Sequence, residues 1–204
     1  TGTWTLSGAS TYTGTTLISA GTLKLGATGG STNTPLGTTG SGTTVSSGAT
    51  LDLNGYTLGT AEALSLAGTG VGGTSGALTN SSSTAATYSG LITLTDNATV
   101  NASTSTGNIV LSNSGTITGS GYTLTLTGSA TGSSLASIVG TGAGGITKAG
   151  TGTWTLSGAS TYTGTTLITA GTVMLGANGD STNTPLGTTG SGTTVSSGAT
   201  LDLN

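Results

Sequence analysis

Residues 1–54 recur as residues 151–204, in register and without a gap, at a spacing of 150. Five positions differ: Ser19/Thr169, Leu23/Val173, Lys24/Met174, Thr28/Asn178 and Gly30/Asp180. Two copies this alike must find equivalent surroundings, which favours stacking of one unit on the next over a closed globule. The expected organisation is one solenoid repeat unit over residues 1–150 and the start of the next over 151–204, in a single continuous body. Ile146-Thr-Lys-Ala-Gly leads into the second copy but has no counterpart before Trp4, so the chain reads as an excerpt from a longer tandem array.

Within the unit, apolar residues alternate with small polar ones in short runs bounded by Gly, Ser or Asn. Trp4-Thr-Leu6, Leu23-Lys-Leu25, Leu51-Asp-Leu53, Leu64-Ser-Leu66, Leu91-Ile-Thr-Leu94 and Tyr122-Thr-Leu-Thr-Leu126 show it best. A period of two with β-branched Thr at the polar positions is the pattern of half-buried strands, and no segment sustains a helical stripe. Only the segment from Ala61 to Leu66 resembles a helical turn, and Leu64 and Leu66 alternate even there. Gly, Thr and Ser number 40, 52 and 28, whereas only two Lys and five acidic residues occur among 204. Such a chain is all-β, with Leu, Ile and Val stacked inward, Thr and Ser outside, and Gly or Asn at the corners. Coils of about 20–25 residues would divide the unit into six or seven, on the order of 30 Å along the axis at ~4.8 Å per coil. A β-sandwich is the competing architecture; the 150-residue period and the scarcity of core aromatics weigh against it.

The same composition excludes several kinds of chemistry. Two lysines cannot supply the positive field that nucleic acid requires. With no His and no Cys there is no set of ligands for zinc, haem or an iron–sulfur cluster, and no Cys- or His-based nucleophile. No apolar run is long enough for a membrane helix. No cofactor, no metal and no catalytic residue is expected.

The stretch Ile146-Thr-Lys-Ala-Gly-Thr-Gly-Thr-Trp-Thr-Leu-Ser-Gly-Ala-Ser-Thr-Tyr-Thr-Gly-Thr-Thr-Leu-Ile-Thr-Ala-Gly-Thr-Val-Met-Leu-Gly resembles the autotransporter-associated β-strand repeat. Pro185-Leu-Gly and Gly198-Ala-Thr-Leu-Asp-Leu-Asn resemble its usual continuation, and residues 59–145 follow the motif only loosely. The resemblance implies a right-handed parallel β-helix (a β-solenoid) in the passenger region of a large bacterial surface or secreted protein.

The polar residues that could carry chemistry each have a plain structural reading. Asp52, Glu62, Asp96, Asp180 and Asp202 are expected to be solvated surface charges; Asp52 lies between Leu51 and Leu53 and should turn outward. Asn178-Gly-Asp-Ser-Thr-Asn has a superficial likeness to a calcium loop, but the first copy lacks Asn178 and Asp180, so an Asx turn is expected. Trp4, Trp154, Tyr12 and Tyr162 are expected to pack over Gly-rich corners rather than stack on sugars. Thr pairs such as Thr3/Thr5, Thr93/Thr95 and Thr123/Thr125 could form an ordered hydroxyl array of the kind that meets ice or carbohydrate, but they do not recur at a constant coil spacing. Asn80, Asn97 and Asn101 satisfy the glycosylation sequon, as chance allows in so Ser- and Thr-rich a chain.

The expected function is therefore structural and not enzymatic: a segment of an extracellular or cell-surface fibre, stalk or adhesive layer. Its partners would be neighbouring units and like copies bundled side by side, with glycans or surfaces as further contacts. Nucleic acid and membrane insertion of this segment are not expected. An ice- or carbohydrate-binding solenoid is the alternative.

Overall fold

The computed structural model describes residues 2–60 and 62–204. Three columns of parallel strands surround one apolar core. The first column stacks Thr3–Leu6, Gly21–Leu25, Ala49–Asp52, Leu78–Asn80, the later part of Ile92–Ala102, Leu124–Gly128, Ile146–Lys148, Thr166–Ile168 and Thr193–Val195. The second stacks Thr16–Ile18, Thr43–Val45, Leu64–Gly68, the beginning of Ile92–Ala102, Thr116–Thr118 and Ile138–Gly140. The third stacks Thr57–Leu58, Ala86–Tyr88, Ile109–Leu111, Ser133–Leu135, Thr153–Leu156, Thr172–Leu175 and Thr200–Asp202. Ile92–Ala102 passes through two columns, with a shift of register between Leu94 and Ala98, and so joins the first two into one sheet. This is the parallel β-solenoid expected from the alternation. A short 3₁₀ turn, Val71–Gly73, is the one helical element among the described residues.

Register explains why alternation suffices. Along the first column Leu23, Leu51, Leu78, Val100, Leu126, Lys148, Ile168 and Val195 stand one above another. All but Val195 and Lys148 belong to the buried apolar core or, as Leu23 does, pack against it. Each inward side chain thus meets its like from the neighbouring coils, and one-residue slips would turn the whole ladder into solvent. Stacked positions lie between 19 residues apart (Trp4 to Leu23) and 30 (Thr57 to Thr87), a wider range than the expected 20–25. The long coils hold outgrowths: antiparallel hairpins pair Asn33–Thr34 with Gly37–Thr38 and Asn183–Thr184 with Gly187–Thr188, and a glycine-rich loop precedes Leu78.

The hydroxyl residues do more than face water. Thr50 Oγ1 donates to Gly76 O at 2.9 Å, Thr79 Oγ1 to Asn101 O at 2.8 Å, Ser103 Oγ to Asn80 O at 2.7 Å and Thr104 Oγ1 to Ser82 O at 2.7 Å. Each bond reaches the carbonyl of an adjacent coil, so short side chains supplement the backbone ladder where the strands end.

The two copies provide an internal comparison of burial. Trp154 is 1% exposed and its Nε1 donates to Thr127 O at 3.2 Å, while Trp4 is 76% exposed. Tyr162 is likewise buried and Tyr12 is 41% exposed. Both tyrosine rings lie against a hairpin glycine, Tyr12 over Gly37 and Tyr162 over Gly187, and Trp154 is packed, whereas Trp4 is not. Replacing Trp154 by Ala should cost about 3–5 kcal/mol, whereas the identical change at Trp4 should stay within about 0.5 kcal/mol. Urea unfolding midpoints of the two variants measure the difference.

Candidate functional site

Three ionisable side chains expected outside, or not singled out at all, lie within the fold. Asp52 does turn away from the Leu51–Leu53 core, but the segment after Asn80 folds over it and leaves it 3% exposed. Its Oδ1 accepts from Asn54 N (2.9 Å) and Ser81 N (3.0 Å), and its Oδ2 from Ser81 Oγ (2.6 Å). Lys24 Nζ lies 3.5 Å from Oδ2 and donates to Ser81 Oγ at 3.1 Å. The carboxylate thus ties three successive coils together. The expectation of a solvated Asp52 is corrected: alternation gives the direction of a side chain but not what a later loop lays over it.

Glu62 is corrected more fully, being completely buried. Thr34 Oγ1 lies 3.0 Å from its Oε2 and Thr43 Oγ1 3.5 Å from Oε1, while Tyr88 Oη donates to its backbone carbonyl at 2.7 Å. Burial pushes the Glu62 carboxyl above its ordinary range, against the lowering effect of the two threonine hydroxyls. Burial, and then the neighbouring Glu62 charge, raise the Tyr88 phenol well above its own. The Thr34 hydroxyl has one proton and two acceptors, since Gly37 O lies 3.3 Å away. Thr34 thus links the Glu62 carboxyl to Gly37 O at the base of the hairpin. A methyl group at Gly90 would collide with the Glu62 carbonyl, so the close approach requires glycine there.

Lys148 occupies an inward position of the first column, between Leu126 and Ile168, and is completely buried. Its ammonium donates to Ala149 O (2.7 Å), Gly150 O (2.8 Å) and Ala170 O (3.0 Å), all at the corner between two coils. A Cβ at Gly171, where φ is +66°, would stand 2.8 Å from Nζ, so this corner combines a left-handed backbone with a space only glycine leaves. Burial lowers the lysine to about 8.

The remaining carboxylates are exposed. Asp180 Oδ1 accepts from Thr182 N (2.7 Å), Asn183 N (2.6 Å) and Thr182 Oγ1 (2.9 Å), the expected Asx turn, and these bonds hold its carboxyl below the usual value. Asp202 Oδ1 accepts from Asn204 N at 2.9 Å, and Asp96 Oδ1 from Asn97 N at 2.7 Å. Among the described residues no three carboxylates come together. No helix among the described residues is long and apolar enough to cross a membrane.

The outer side of the first column carries a groove of about 380 Å³ lined by Thr22, Thr50, Asp52, Thr74, Ser75, Thr79, Ser81, Asn101 and Ser103. Its lining is hydroxyl and amide, and Asn101 Oδ1 there has no hydrogen-bond partner. The groove exists because the glycine-rich loop arches over the column, with Val71 N donating to Thr50 Oγ1 at 3.0 Å. That loop also interrupts any continuous threonine face. Thr99, Thr125 and Thr147 follow one another outward, but Ala77 precedes them and Leu167 follows.

Residues 1–25 and 146–175 match the family model of the passenger-associated-transport-repeat. These are the two tryptophan-bearing segments, and the agreement includes the buried Lys148 corner. No curated protein and no solved structure matches the chain.

The two buried groups give opposite pH dependences. The Glu62 carboxyl is raised in the folded state, so its contribution is complete below about pH 4.3, where the unfolded chain is also protonated, and is lost as pH rises through the folded value. Glu62→Gln should abolish that fall and melt higher than the parent at neutral pH. Lys148 is lowered to about 8 from 10.5. The unfolded chain therefore binds the extra proton between those values, and the lysine's contribution to stability rises with pH across that interval. Lys148→Met should flatten the rise. Thermal unfolding followed from pH 4 to 10 tests both.

Proposed function

We propose that this chain is a structural stretch of an exported bacterial passenger, displayed at the cell surface or secreted, and that it acts as a fibre or stalk element without catalysing a reaction. The observation that carries this reading is the repeat itself. Both matched segments fold alike, with Trp4 on Leu23 and Trp154 on Val173, and are continued by an unbroken run of stacked coils. A unit of this kind buries its core only against the coils before and after it, so length is gained by adding units. The flanks are nearly uncharged, and like copies can approach side by side without repulsion. Neighbouring units and like copies are the partners this reading names.

A second reading has one specific support, the hydroxyl- and amide-lined groove with its unpartnered Asn101 Oδ1. Such a lining suits the hydroxyls of a glycan. The interrupted threonine face gives an ice-binding surface less support.

Electron microscopy of the source material, labelled with an antibody raised against residues 151–204, separates these readings. Labelled filaments are expected; label confined to free monomeric molecules would reject the fibre. Calorimetric titration of the chain with neutral oligosaccharides, repeated with Asn101→Ala, tests the groove.

A further inference from the structure

The two copies share every local pairing, yet they do not lie on the same side of the molecule. In the first copy the Trp4 strand belongs to the first column, stacked on Leu23 and then Leu51. In the second, the Trp154 strand belongs to the third column, over Ser133–Leu135 and under Val173 and then Leu201. The companion strand moves in the same sense. Thr16–Ile18 lies in the second column, whereas its counterpart Thr166–Ile168 lies in the first, on Ile146–Lys148. The hairpins follow: Gly29 N bonds Thr57 O of the third column at 3.0 Å, while Tyr162, whose carbonyl receives Thr188 N, has its own N–H on Val139 O of the second.

The chain visits the columns in the order second, first, third. Every element of the second copy is therefore advanced by one column relative to the first. Following the first column from Trp4 gives six stacking steps to Lys148, and Trp154 lies one column further along the same coil. One 150-residue unit is thus six and one-third coils.

We infer that successive units in a tandem array are rotated by a third of a turn, so that identical flanks and hairpins face three directions in succession and return to the first direction only after three units. At ~4.8 Å per coil the hairpins climb about 30 Å per unit and the true axial repeat is about 90 Å, nineteen coils. A fibre built this way offers like copies the same lateral surface on all three sides, and bundles form in three dimensions in place of flat ribbons. This consequence rests on the structural reading above. The rotation itself is a property of the present chain and is tested separately from filament formation.

The chain has no cysteine, so pairs of introduced cysteines carry spin labels cleanly. Thr5 and Thr155 are equivalent outward positions in the two copies. Thr125 in the first column and Ser134 in the third mark one later coil on two sides. Four double variants combine T5C or T155C with T125C or S134C, each checked for the parent's far-ultraviolet circular dichroism. The expected result is opposite preferences. T155C lies next to S134C, about 5 Å away, and gives strong dipolar broadening that T155C/T125C lacks. T5C lies about 25 Å from T125C, five coils along the same column, and farther from S134C. If Thr5 and Thr155 both lie nearer to Thr125, or both nearer to Ser134, the copies share a face and the inference is overturned. If the spin-label distances agree and no filaments are found, the rotation stands and the fibre reading fails.

Discussion

A strand in this molecule can satisfy its backbone only through the coils before and after it. That constraint governs the rest of the structure. Side chains must stack in register at ~4.8 Å, which rewards like upon like and penalises a charge placed over its own kind. A composition of Leu, Ile and Val inside with Thr and Ser outside meets this condition with few residue types. It also leaves the corners, where strands end and carbonyls lose their ladder partners, as the places needing special chemistry.

The buried polar residues answer that need. Lys148 gathers three carbonyls at one corner, Asp52 collects donors from neighbouring coils, and Thr and Ser hydroxyls reach the carbonyls of adjacent turns. Glu62 and Thr34 secure the base of a hairpin at a position where the coil lengthens. These groups share the feature that each spans coils and adds a polar side-chain link to the backbone ladder and the stacked apolar core.

Much of the fold was legible in the sequence because a period of two is local: Leu51, Leu64, Leu66, Leu124 and Leu126 could be placed inward from their neighbours alone, and all are buried. What was not legible depends on residues 20–30 positions away. Asp52 is covered by Ser81, Trp154 is buried over the Ser133–Leu135 coil, and Glu62 faces a hairpin 28 residues earlier. Lys148 stood in plain view between Thr147 and Ala149, at the inward phase of Ile146-Thr-Lys. Alternation read without regard to residue type buries it, as the structure does.

The hydroxyl and backbone links between coils also determine how such a molecule responds to being pulled. Successive coils follow one another along the axis, so tension along it can peel one coil at a time from the stack. A coil that detaches releases 19 to 30 residues, or roughly 65–105 Å of extended chain, while the rest of the stack stays intact. Stretching should therefore proceed as a series of small yields, and a segment under intermittent load can lengthen several-fold and rewind from the surviving coils, which serve as the template for the next.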